Sequence, residues 1–113
     1  MSSAGRLKWA RIKSENGFEH DGQALLFAKE KGLVNDAWLR ALIERVGIRP
    51  DMTRVQIADL LESDAQNENG NLVQLAKEMC HKENTLSYNS EIIGQLANGL
   101  RSKLADVIKA IRS

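Results

Sequence analysis

From Ser90 to Arg112 the chain carries apolar or small side chains at Ile93, Ala97, Leu100, Leu104, Val107 and Ile111. The steps alternate between four and three, the spacing that holds one stripe on one side of a helix. Ile92, Leu96 and Ile108 widen that stripe toward the broad face of a helix docked on a core. No other stretch is as long or as regular, so the remaining segments have to be arranged around it. Arg101, Lys103 and Asp106 take the outer face. Gly94 and Asn98-Gly99 interrupt the first half, each Gly costing roughly 1 kcal/mol relative to Ala inside a helix. Asn98-Gly99 reads as a stop, but the apolar step runs unbroken across it, and a continuous helix is expected. The glycines would then let a neighbouring helix approach closely.

A chain of 113 residues is the size of one domain and can bury a core without disulfides or a structural metal. Its five aromatics are Trp9, Trp38, Phe18, Phe27 and Tyr88, so the core has to be built mostly from Leu, Ile, Val and Ala. That composition suits helix packed on helix, and a single proline, Pro50, leaves long stretches free to be helical. No apolar run approaches the ~20 residues needed to cross a bilayer. The start of the chain shows a basic amphipathic segment in place of an apolar signal core. The lone Cys80 has no partner for an intramolecular disulfide. A cytoplasmic location is expected.

Helix signals recur along the chain. Leu7 to Lys13 reads as a short helix with a poor stripe, stopped at Glu15-Asn16-Gly17. Asp21 is placed to cap a second helix from Gln23 to Lys31, with Gly32 at the left-handed position beyond its end and apolar Leu33 after it. Asn35 is the expected cap of the third, whose face is Trp38, Leu39, Leu42, Ile43 and Val46, with a stop at Gly47 and Ile48 folding back on Ile43. Thr53 and Gln56 form a capping box for the fourth, through Leu61. The polar run from Ser63 to Gly70 reads as a long loop. Asn71 and Gln74 repeat the cap logic for a fifth helix, Leu72 to Lys82. The expectation is an all-α, single-domain bundle of about six helices spanning 1–113, with 1–20 a mobile basic segment and a long C-terminal amphipathic helix.

The motifs that carry chemistry are weak. Asn67, Asn69 and Gly70 fit positions 3, 5 and 6 of a calcium loop, but Ala65 and Ala76 then stand where the first ligand and the bidentate Glu belong. Cys80-His81 and His20-Asp21 lack the two-to-four-residue spacing of zinc ligands. No nucleophile elbow, metalloprotease helix or phosphate-binding Gly loop occurs. Neither an enzymatic activity, a cofactor nor a small-molecule substrate is expected.

The net charge of +1 conceals a pattern. Arg6, Lys8, Arg11 and Lys13 stand without an acid in residues 1–14, while residues 59–91 hold seven acids against two lysines. The tail is basic again. Such asymmetry suits steering of a partner, or ends that fold against the middle. The leading expectation is a non-enzymatic protein–protein interaction or regulatory module, self-associating or binding a partner through Ile93, Leu100, Leu104, Val107 and Ile111, with Arg101, Lys103 and Lys109 at the rim. The alternative is nucleic-acid binding through Arg6, Lys8, Trp9, Arg11 and Lys13, or through residues 53–82. Thr53 to Leu61 looks like the first helix of many helix-turn-helix units, with small Ala58 at the packing position. Such units need a three-to-four-residue turn, whereas roughly eight residues separate the expected helices here, and only Lys77 and Lys82 follow to meet phosphates.

Overall fold

A computed structural model of the chain describes residues 9–34, 36–83 and 90–112, with side chains for 11–34, 36–80 and 91–112. Among the described residues six helices follow one another: α1 (Trp9–Asn16), α2 (Asp21–Glu30), α3 (Ala37–Val46), α4 (Arg54–Gln66), α5 (Asn71–Glu83) and α6 (Ser90–Arg112). The fold is all-helical, with no strand among the described residues. At ~1.5 Å per residue the 23 residues of α6 reach about 35 Å. This exceeds either short dimension of the 49 × 23 × 23 Å molecule, so α6 runs along its length. It packs against α4 and α5, and α1, α2 and α3 reach the rest of the chain through other contacts: α1 on α2, α2 on α4, and α3 on both α4 and α5.

The expected helix stops are present. Gly17, Gly32 and Gly47 all have positive φ, between 66° and 77°. At the first two, the next residue's N–H reaches back five residues, Phe18 to the Lys13 carbonyl and Leu33 to that of Ala28, each at 2.9 Å. That satisfies carbonyls the helix end would otherwise leave bare. Thr53 and Gln56 form their capping box: the Gln56 N–H donates to Thr53 Oγ1, and the Thr53 N–H to Gln56 Oε1. Residues 9–16 are helical, and Ile12 joins the core.

Two carboxylates act across the chain where local capping was expected. Asp21 opens α2, but its Oδ2 accepts the backbone N–H of Arg54 at 3.2 Å, and Lys13 and Arg54 stand 3.5 and 3.7 Å from its other oxygen. It therefore ties α1 and α2 to the start of α4. The entry of α2 is held by Gln23, whose Oε1 accepts the N–H groups of Glu19 and His20 at 3.0 Å. The cap position of α3 is Asp36, and Asn35 lies outside the described residues.

The long loop expected from Ser63 to Gly70 shrinks to a turn at 67–70, because α4 continues through Gln66. The reason is Asp64. From the last turn of α4 its carboxylate accepts the N–H groups of Asn71 at 2.8 Å and Leu72 at 2.9 Å, capping α5 from the preceding helix. Gly70 makes this approach sterically feasible: a Cβ there would lie 2.3 Å from the Asp64 carbonyl oxygen.

Helix α6 is continuous across Asn98-Gly99. Close approach does not account for its glycines, because a Cβ added at Gly94 or Gly99 meets nothing within 4 Å. They carry only the backbone-entropy cost of glycine. Gly94→Ala and Gly99→Ala should each therefore stabilise the protein by about 1 kcal/mol in thermal or urea unfolding. Gly70→Ala should destabilise it by more than about 1 kcal/mol. A neutral or stabilising Gly70→Ala would contradict the close packing of the α4–α5 turn.

Candidate functional site

The interface residues expected from the sequence fall into two groups. Ile93, Leu100, Leu104, Val107 and Ile111 are at most 7% exposed and belong to the core that α6 forms with the other helices. These five side chains are thus covered within one chain. Arg101 and Lys109 stand beside a groove on the same helix, whereas Lys103 is exposed and does not line it.

That groove lies between α6 and the end of α4. Arg101, Ala105, Ile108, Lys109 and Arg112 line it from α6, and Glu62, Ala65 and Gln66 from α4, enclosing about 450 Å³. On α6, residues 101, 105, 108 and 112 repeat the four-and-three step, placing them on one face next to the buried stripe. The floor is apolar because Ala65 and Ile108 are buried core residues at its base. It is hollow because alanine stands on both sides, at 65 and 105, where a longer side chain would fill the gap between the helices. The rim is charged. Arg112 donates to Asp59 at 2.7 Å and to Glu62 at 2.9 Å, fastening the end of α6 to α4. These bonds, that to Asp59 first, hold its pKa above the ordinary guanidinium value. Arg101 Nε donates to the Ala65 carbonyl at 2.6 Å, and its Nη1 to Asn98 Oδ1 at 2.9 Å. Both acceptors are neutral.

Of the groove lining, the sequence pointed to Arg101 and Lys109 through their charge and not to Glu62, Ala65, Gln66, Ala105, Ile108 or Arg112. The missing signal was the pair of alanines, which becomes a hollow only when two helices are known to face each other.

The described part of the alternative set is engaged in local pairs. Arg11 stands 2.7 Å from Glu15, and Lys13 pairs with Asp21. Arg6, Lys8 and the side chain of Trp9 lie outside the described residues. The turn between α4 and α5, at four residues, is now short enough for a helix-turn-helix. The charge on α5 still opposes that reading. Glu78 is held by Arg45 of α3, Lys77 is half-buried, and the side chain of Lys82 is not described. Cys80 is buried, and no cluster of three or more His, Cys, Asp or Glu groups occurs among the described residues. No helix among the described residues is long and apolar enough to cross a membrane.

Compared with known protein families, curated proteins and solved structures, the chain matches none.

The Arg45–Glu78 pair shows how such surface charges behave. Arg45 reaches Glu78 through both terminal nitrogens, one at 2.9 Å. The hydrogen bond to Arg45 holds the Glu78 carboxyl below the ordinary carboxylate range. With the folded pKa depressed, the pair's contribution is present above the unfolded carboxylate value of about 4.3 and is lost as pH falls through the folded value. A carboxyl titration followed by NMR should give Glu78 a midpoint below the ordinary value, restored to it in Arg45→Met. An unshifted midpoint in the native protein would contradict the pairing.

Proposed function

We propose that this protein is a small, non-catalytic helical module that binds a partner protein through the groove between α4 and α6. The observation that carries this reading is the groove itself, an apolar floor of Ala65, Ala105 and Ile108 inside a charged rim. An apolar centre within a polar rim is the usual anatomy of a recognition surface. An apolar groove between helices is a surface on which a short amphipathic segment can lay its apolar side chains. The long stripe of α6 already covers the core, which moves the contact surface to the neighbouring face of the same helix. Isolated apolar side chains such as Val55 and Leu33 are exposed elsewhere, and single exposures of this kind are ordinary. Burial of Cys80 shields its thiol from any substrate, in keeping with a non-catalytic role.

A photo-crosslinking side chain at Ala105, introduced in the native host, tests this directly. Ala105 is exposed and lines the groove. A discrete protein adduct should form from position 105 and be absent when the crosslinker sits at exposed Gln74 on α5. No adduct at 105, or the same adducts from both positions, would sink the reading.

A further inference from the structure

Three cations, Arg101, Lys109 and Arg112, line the groove with one acid, Glu62. Glu62 is committed to Arg112, and so is Asp59 just outside the lining. Arg101 is different, since its guanidinium donates to a backbone carbonyl and a side-chain amide and has no ion-pair partner among the described residues. Those two bonds use Nε and Nη1 and hold the planar group at the groove wall. A guanidinium has five N–H donors in a fixed fork that matches a carboxylate. Arg101 is therefore a positioned cation beside an apolar hollow, with donors left to give.

We infer that the occupant of the groove is an acidic amphipathic helix of the partner protein, its apolar side chain resting on Ala65, Ala105 and Ile108 and its carboxylate meeting Arg101. The inference rests on the proposed function and specifies the partner's chemistry. Charge complementarity selects it: an acidic segment answers Arg101, whose bonded acceptors are both neutral, whereas a basic one would meet like charge there. A second copy of this chain fits less well. The apolar stripe of its α6 is buried, and its acids nearest the groove are tied to Arg112.

The experiment uses two short synthetic amphipathic helices with the same leucine face, one flanked by Glu and the other by Lys. Each is titrated into the whole protein and followed by amide NMR shifts. The Glu-flanked peptide should move the amides of Ala65, Ala105 and Ile108, and its affinity should fall by about tenfold or more in Arg101→Gln. Should loss of the Arg101–Ala65 bond unfold that variant, Ala105→Glu decides the matter. It changes an exposed helical position and places a carboxylate one turn from Arg101, competing with the peptide for the same donors. A comparable loss is expected there. If the Lys-flanked peptide binds as well as the Glu-flanked one, or Ala105→Glu leaves binding unchanged, the acidic partner is wrong even where the adduct at position 105 forms. If neither peptide moves these amides, the inference also fails. The crosslinking result then tells separately whether the groove receives some other protein.

Discussion

A helix with a wide apolar stripe is stable in water only if something covers that stripe, and in this chain the cover is α4 and α5. Leu100, Leu104, Val107, Ile108 and Ile111 are each buried, and each such side chain contributes about 1.5–3 kcal/mol relative to exposure. The capping and ion-pair interactions are smaller individually and act mainly on geometry. Asp64 fixes where α5 starts relative to α4, and Asp21 fixes where α4 starts relative to α1 and α2. Arg112 and Arg101 then set how α4 lies along α6. The glycines of α6 weaken it without opening a path for another helix, so its stability in the fold depends on tertiary cover.

The groove follows from the same arrangement. Arg101 bonds near the end of α4, at Ala65, and Arg112 bonds further back, at Asp59 and Glu62, so the two helices lie antiparallel over this stretch. Between these two tethers the facing residues include alanines at 65 and 105. Large side chains on the stripe close the core, and small ones one step round the helix leave a hollow. A single helix thereby supplies both the buried spine and the surface proposed for binding.

Local signals were legible in the sequence, and distant ones were not. Gly17, Gly32 and Gly47 announced helix ends because a left-handed residue is needed within one or two positions of the stop. Thr53 and Gln56 announced a helix start for the same kind of local reason. Asp64 was read as part of a loop because its role is to cap a helix seven residues on, across a turn whose geometry depends on Gly70. Asp21 was read as the cap of its own helix, while its carboxylate serves Arg54, 33 residues away. The four-and-three step showed that α6 has an apolar face. Periodicity does not say what covers that face, and the same pattern serves a core helix or an exposed seam.

The stripe of α6 is the core of one chain. Leu104 is fully buried at its centre, and Leu104→Glu places an unpaired charge there, a change that a fold of marginal stability does not survive. Circular dichroism together with sedimentation of Leu104→Glu is the direct measurement. Loss of the cooperative melt and of most helical signal is expected. A folded Leu104→Glu variant that melts like the native protein, and differs only by sedimenting as a smaller species, would show that the stripe is an interface between chains and would contradict its burial within one chain.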